Sequence, residues 1–552
     1  FVQPIPPVPQ PSWGPTQIAE GFLAASASFI GKHAAAQQFL SPAARRTFPL
    51  GRWPVTVVSG PLTVSTTVLG SPTKGLPVLM RVTLHTTQLA TISDIGQYVY
   101  GRAQARYQFT LIRTGGQWRI SSMAPQALLL TQDSFMDVYQ ARNLYFWSPN
   151  YLSPVPEPVF APQQDTYAAA AASLVNALLR TSQNRADQQD RTWLAGATQT
   201  AFLPGTTLIG NKVTIAGQTA IVNLGGAAAK ASSAELQNMA QQLIETLTST
   251  SYSSPAIARH VQLQVNGQLR DSNEPPSPAP APGPLYYLAS NGTVSAWNGA
   301  GKAIRNPVGR DQIPFTEIAV LTEPTADTPL LAGAVPSDRG CGIYHGPLAG
   351  TAALTLSTVP DARSGPCTSV SWDTQGDIWA ATPAGIWVLP AGQQQFLRVI
   401  KPLLPGDNLT AYRVLSVRVA PDAVRVAMLV QVESTASAPG GTQVVMAAVS
   451  RTQGQFGLGP TVAVGPTLAD PVALSWLDPD HLVVLARSEL YSVPVNGGVQ
   501  GPIEPAPAGA VSVTATGPGR IALAGGGQIW TSSGLDQGML FAVKGTGAAY
   551  QG

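Results

Sequence analysis

Apolar positions along this chain change period from one region to the next, and the changes mark out its parts. Residues 16–48 place Ile18, Phe22, Leu23, Phe29 and Ile30 at helical spacing, starting from Thr16, which can cap the first turn. A second short helix, KHAAAQQFL, is expected to end at Ser41-Pro42. Four strand-like runs follow: WPVTVVSG, LPVLMRVTLHTTQLATIS, ARYQFTLIRTGG and QWRISSM. The last two are joined by a Gly115-Gly116 hairpin turn. Residues 135–272 alternate the two periods. NLYFWSP reads as a strand, TYAAAAASLVNALLRT as a helix with Leu174, Leu178 and Leu179 on one face, and VTIAGQTAIVNLGG as a hairpin. ASSAELQNMAQQLIETLTST reads as a second helix, capped by Ser233 and striped by Leu236, Met239, Leu243 and Leu247. HVQLQVNGQL closes the region with an Asn-Gly turn.

From residue 285 onward no helical period is present. VSWDTQGDIWAA (370–381), VRVAPDAVRVAM (417–428), LSWLDPDHLVVL (474–485) and VSVTATGPGRIALA (511–524) share one form, an alternating strand, a polar turn and an apolar strand. AVLTEPTADTPLLAGA (319–334) is a fainter copy, and aromatic hairpins such as GIWVLPAG and ELYSVPVNGG follow the copies. Repeats of four strands every roughly 45 residues predict a β-propeller, whose closed ring leaves few exposed strand edges. PLYYLASNGTVSAWNG reads as the outer half of a blade, so strands from both ends of this region are expected to close the ring.

The expected fold is therefore multidomain. Residues 1–15 form a Pro-rich stalk, and residues 16–134 an α+β domain whose long hairpin ending in GGQWRI resembles the nuclear-transport-factor-like fold. Residues 135–272 form an α/β two-layer sandwich. Residues 273–284, half of them proline, form a linker, and 285–552 an all-β propeller of roughly five or six blades.

Composition narrows the function. Charged residues make up only 11% of the chain, against about 25% in an average domain, and Ser, Thr, Asn and Gln must supply the polar surface, a style suited to an extracytoplasmic protein. No run of about 20 apolar residues could span a membrane. The opening FVQPIPPVPQPSWGP carries no signal peptide and reads as the start of a mature or truncated chain. The two cysteines, Cys341 and Cys367, favour a disulfide in that compartment, with two buried thiols as the alternative.

Charge is uneven. Residues 1–136 hold ten Lys and Arg against three Asp and Glu, so 10 − 3 = +7; residues 137–272 hold eight of each; residues 273–552 hold fourteen against eighteen, so 14 − 18 = −4. A basic N-terminal domain could be only a solvated surface, or it could face an anionic membrane or wall polymer. Nucleic acid is a poor fit, because aromatic and basic residues do not interleave.

Candidate chemistry is sparse. His33, His85, His260, His345 and His481 are scattered with no metal-ligand spacing, so no zinc or copper site is expected. GAGKAIR (299–305) and GGGQIW (525–530) read as turns, and neither has the strand-loop-helix setting of a phosphate loop. The carboxylate pairs that a propeller glycosidase would need are Asp373 with Asp377 and Asp478 with Asp480, both in turn compositions, and Asp338 beside Arg339. No catalytic residue or cofactor site is assigned. Trp372, Trp379, Trp387, Trp476 and Trp530 could stack on sugars if exposed; as repeated strand residues they are expected between blades.

Five separate pieces of the middle region carry a resemblance: Pro204-Gly205-Thr206, Val222-Asn223-Leu224, Gln241-Gln242, Thr246-Leu247 and Asn266-Gly267, in that order after the Leu144-Tyr145-Phe146 strand. They resemble the sporulation and germination GerM domain. A cone-like domain, a GerM domain and a propeller in this order are similar to the actinobacterial LpqB lipoproteins, as are FMDVYQARNLYFWSP and SVRVAPDAVRVAMLV. The resemblance implies a non-enzymatic lipoprotein on the outer face of the cell membrane, held by an acylated cysteine that would precede Phe1. It also implies a partner, the extracytoplasmic sensor domain of the MtrB histidine kinase, and an influence on cell-wall homeostasis and division. The alternative function is a carbohydrate- or peptidoglycan-binding sensor, and a less favoured one a propeller glycoside hydrolase.

Overall fold

A computed structural model of the chain describes residues 6–28, 33–47, 55–60, 62–69, 78–93, 95–163, 166–183, 194, 196–250, 255–273, 283–298, 303–305, 313–322, 328–337, 340–349, 353–360, 365–400, 412–434, 440–452, 454–497, 501–517, 519–532 and 538–550. Phe29, Ile30, the Asp338-Arg339 pair and nearly all of the proline linker lie outside them. Two compact units result. The first comprises Phe1–Arg142, Val159–Asp190 and Leu208–Ile215, the second Asn143–Pro158, Arg191–Thr207 and Ala216–Gly552.

In the first unit, helix Pro15–Ser26 buries Ile18, Phe22 and Ala25, with Phe22 edge-on to Phe109 at 5.9 Å. Thr16 is not its cap. Pro15 occupies the first helical position, where its missing N–H costs nothing, and Gln17 accepts from the Gly14 N–H at 3.0 Å. The predicted KHAAAQQFL helix shrinks to Ala34–Gln37, and Ser41 does not end it but caps a third helix, Pro42–Thr47, accepting from Ala44 N at 3.2 Å. Pro42 therefore starts a helix.

These helices accompany a six-stranded sheet ordered Gln117–Ala124, Tyr98–Thr114, Leu79–Ile92, Val55–Val58, Leu128–Thr131, with Thr63–Val68 also beside Leu79–Ile92. The Gly115-Gly116 turn is present, both glycines at positive φ (58° and 81°). Two strands were not foreseen. TVSTTV alternates too weakly to be legible, and LLLT, buried and parallel to Val55–Val58, has no alternation at all.

In the second unit, Thr219–Gly226 runs parallel to His260–Val265, which turns back through Asn266 and Gly267 into Gln268–Asn273. Helix Ser233–Thr248 buries Met239, Leu243 and Leu247. Its cap is Ser232, not Ser233: Ser232 and Glu235 form a reciprocal capping box. The GerM-like motif residues hold this layer together. Asn223 Oδ1 accepts from Gly267 N at 2.9 Å and Thr246 Oγ1 from Tyr145 N at 3.1 Å. The buried Gln242 donates to Tyr145 O and accepts from Ala201 N, both at 2.7 Å.

The rest of the second unit is a propeller of six blades, each a four-stranded antiparallel core. Blades 2 to 6 span residues 317–358, 369–398, 412–464, 471–505 and 512–544. Blade 1 combines Leu285–Leu288, Val294–Trp297 and Ala303–Arg305 with Thr546–Ala549 from the other end of the region, which pairs Tyr286 with Ala549 and Leu288 with Thr546. The ring is thus closed by both ends. Within blade 2, Cys341 on the third strand is disulfide-bonded to Cys367.

A Ser-Trp dipeptide ties blades to their neighbours. On the first strand of blade 3, Ser371 Oγ accepts from Val419 N of blade 4 at 3.3 Å, while Trp372 Nε1 donates to Ala319 O of blade 2 at 3.3 Å. Blade 5 repeats the arrangement: Ser475 accepts from Ala515 N of blade 6 at 3.2 Å, and Trp476 donates to Arg418 O of blade 4 at 3.0 Å.

Candidate functional site

The first strands of blades 2 to 6, with Thr546–Ala549 of blade 1, line a central cavity of about 1080 Å³. Its polar wall is largely backbone, serine and threonine. The charged lining residues are Glu317, Arg418 and Asp478. Arg418 Nη2 donates to Glu317 Oε1 at 2.8 Å, and its Nη1 donates to the carbonyls of Val370 and Val417. Burial raises the pKa of Glu317, and Arg418 opposes the shift. A cavity of this kind can hold a small polar ligand or a peptide end. A nucleophile with a base beside it is not found among the described lining residues.

The carboxylate pairs in the turns after the first strands of blades 3 and 5 have structural partners. Asp373 Oδ1 accepts from Gln375 N at 2.9 Å and Asp377 N at 3.0 Å; Oδ2 accepts from Trp379 Nε1 at 2.9 Å and Arg451 Nη2 at 2.6 Å. Asp377 caps Ala391 N at 2.9 Å and also meets Arg451, at 3.4 Å. Arg451 belongs to blade 4, so this pair bonds one blade to the next. Burial first, then the Asp377 carboxylate, push the Asp373 carboxyl up to about 6, against the pull of Arg451 and Trp379. In blade 4, Asp422 accepts from Val424 N and Arg425 N and pairs with the buried Arg425 at 2.6 Å. The turn carboxylate therefore recurs in blades 3, 4 and 5. A residue-for-residue alignment hides it, because it sets Leu477 and Ala420 against Asp373, whereas Asp478 and Asp422 do the work from one and two positions later.

Scattered as the histidines are, one of them meets the second pair. His481 Nδ1, protonated, donates to Asp480 Oδ1 at 2.8 Å and to Asp478 Oδ1 at 3.2 Å, and Asp480 Oδ2 accepts from Asn143 Nδ2 at 3.0 Å. Burial disfavours the His481 cation, but the hydrogen bonds and charges of both aspartates outweigh it and raise its pKa to about 9. The three side chains bring ligand atoms within 4.8 Å of one another, close enough for a metal ion, yet their mutual hydrogen bonds account for the cluster without one. The DPDH run was the available signal.

Every tryptophan offered for sugar stacking is buried: Trp379 is 0% exposed and Trp530, the most exposed of the five, 9%. They belong to the cores of the blades and between them, as their repeated strand positions led one to expect, and none is placed to stack on a sugar.

Three family models match the chain. Residues 8–136 match the N-terminal domain of lipoprotein LpqB, 143–271 the sporulation and spore germination domain, and 332–538 the lipoprotein LpqB β-propeller domain. The chain belongs to the LpqB lipoprotein family. Several proteins named lipoprotein LpqB are similar over most of their length. That of Thermobifida fusca is 26% identical over 100% of this chain and 92% of the relative; that of Streptomyces coelicolor is 26% identical over 88% and 79%; that of Mycobacterium bovis is 24% identical over 89% and 82%. Among solved structures, a gluconolactonase from Xanthomonas campestris aligns with 16% identity and a TM-score of 0.31, over 49% of this chain and 90% of that one. The tandem GerM domains of Bacillus subtilis align with 20% identity and a TM-score of 0.19, over 32% and 64%. Neither likeness bears on activity. Among the described residues, no helix is long and apolar enough to cross a membrane.

Proposed function

We propose that this protein is a non-catalytic, lipid-anchored lipoprotein of the extracytoplasmic face of the cell membrane. It binds the sensor domain of a two-component histidine kinase of the MtrB type and modulates its signalling, and so acts on cell-wall homeostasis and division. An acylated cysteine N-terminal to Phe1 supplies the anchor. Membership in the LpqB lipoprotein family carries the reading. The chemistry of the turns supports it: Asp373, Asp377, Asp478 and Asp480, the acids a glycosidase would use, are bonded to arginine, histidine, asparagine and backbone N–H groups. A wall-carbohydrate sensor working through these tryptophans would need their rings exposed, and they are buried.

The test is direct binding of the purified chain to the isolated extracytoplasmic domain of the kinase, by calorimetry. Saturable binding at micromolar concentration is expected. No heat and no co-elution at high micromolar concentration would overturn the reading.

A further inference from the structure

The four long strands of the first unit's sheet, Thr63–Val68, Leu79–Ile92, Tyr98–Thr114 and Gln117–Ala124, carry arginines 81, 102, 106, 113 and 119 and not one carboxylate. The strand register decides how they are displayed. Leu84 lies opposite Tyr107, and Val82 opposite Phe109; these four side chains are buried in the core. The alternate positions form the other face. There Arg81 lies opposite Thr110 and Thr67, His85 opposite Arg106 and Thr63, and Arg119 opposite Ile112. Thr63, Thr67, His85 and Arg106 are exposed, and Arg81 and Arg119 half-exposed. Arg102, at the bulge where the register shifts between Ala103 and Tyr100, is exposed too.

These arginines form no ion pair among the described residues; all the ion pairs found there lie within the propeller. Arg119 donates only to neutral oxygens, Trp118 O at 2.7 Å and Gln117 Oε1 at 2.6 Å. Arg45 of helix Pro42–Thr47 lies near enough to add its charge: burial and then Arg45 lower the pKa of Arg119. Cations set side by side without carboxylates repel one another, and an anionic surface relieves that repulsion.

We propose that this face of the N-terminal sheet, centred on Arg81, Arg106 and Arg119, docks on anionic phospholipid headgroups. Guanidinium forks suit phosphate oxygens, and the surrounding threonines add hydroxyl donors. Lipid is chosen over other polyanions because the family is one of lipoproteins; that choice rests on the anchored reading above, whereas the face itself does not.

The experiment uses the full chain without its lipid, so that binding reports the face and not the anchor. Sedimentation is measured with vesicles of phosphatidylcholine alone and of phosphatidylcholine with phosphatidylglycerol. Binding to the anionic vesicles only, weakened by salt, is expected. Each Arg→Gln change at 81, 106 or 119 should weaken it about fivefold, and the triple change about a hundredfold. The exposed propeller pair Arg487 and Asp470 serves as the control, and Arg487→Gln should leave vesicle binding unchanged. Equal binding to both vesicle types, or an undiminished affinity in a triple variant with unaltered circular dichroism, would overturn the proposal. So would capture by soluble lipoteichoic acid, lost in the triple variant, with no sedimentation on either vesicle. Kinase binding is measured on the same variants, and its failure would count against the preceding proposal alone.

Discussion

The first unit and the propeller use charge in opposite ways. At the blade turns of the propeller, acids and bases are paired inward: Asp373 and Asp377 with Arg451, Asp422 with Arg425, Asp478 and Asp480 with His481. These groups are mostly buried, and each is held by several hydrogen bonds, which is the condition under which a buried charge is tolerated. In the N-terminal sheet, arginines stand on a solvent face with no carboxylate on the strands that carry them. Charge that folding has consumed is unavailable to a partner; charge left on a face is available. The distinction also explains why the propeller's perturbed carboxylates need not mark a catalytic centre. Burial raises Asp373, and the same burial comes from joining blades 3 and 4.

The strongest way to break this contrast is Asp373→Ala. It strips Arg451, Trp379 Nε1 and two backbone N–H groups of their acceptor at once. A loss of about 3–5 kcal/mol is expected in urea unfolding followed by tryptophan fluorescence. If Asp373 were an exposed functional acid, the stability would hardly move.

Next comes pH. The folded pKa of His481, about 9, lies above its ordinary 6.5, so the protonated ring stabilises the fold fully below about pH 6.5 and the contribution fades as pH rises through 9. The shift corresponds to about 3 kcal/mol at most. Melting temperature should fall from pH 6.5 to 9 in the parent, and His481→Gln should flatten that slope while lowering stability at pH 6.

The smallest expected effect sharpens the other side. Arg106→Gln, on the open face, should leave the melting temperature within error of the parent. A drop of several degrees would mean that this arginine, too, belongs to the structure.

Much of this was legible in the sequence. The Gly-Gly and Asn-Gly turns were visible because only small or amide residues adopt their positive φ cheaply, and the blades were visible because alternation recurs. The burial of Trp372 followed from its repeat position. Helix starts were less legible. Thr16 lost to Gly14, and Ser233 to Ser232, because a cap is decided by which residue frees its backbone from the helix, and near neighbours compete within one turn. The candidate site was the least legible: the Asp422, Asp478 and Asp373 turns differ in length, so the acids fall out of alignment although they do the same work.

Local periodicity and turn chemistry were enough to specify the order of the domains, the repeat in the propeller and the surplus of positive charge near the N-terminus, because each is written in residues adjacent along the chain. The blade count, the closing strand Thr546–Ala549 and the partners of the turn acids belong to the folded molecule alone. Arg451 lies 78 residues from Asp373, and Asn143 337 residues from Asp480. No local pattern relates positions so far apart; only closure of the ring and packing against it bring their charges and hydrogen-bonding groups within reach.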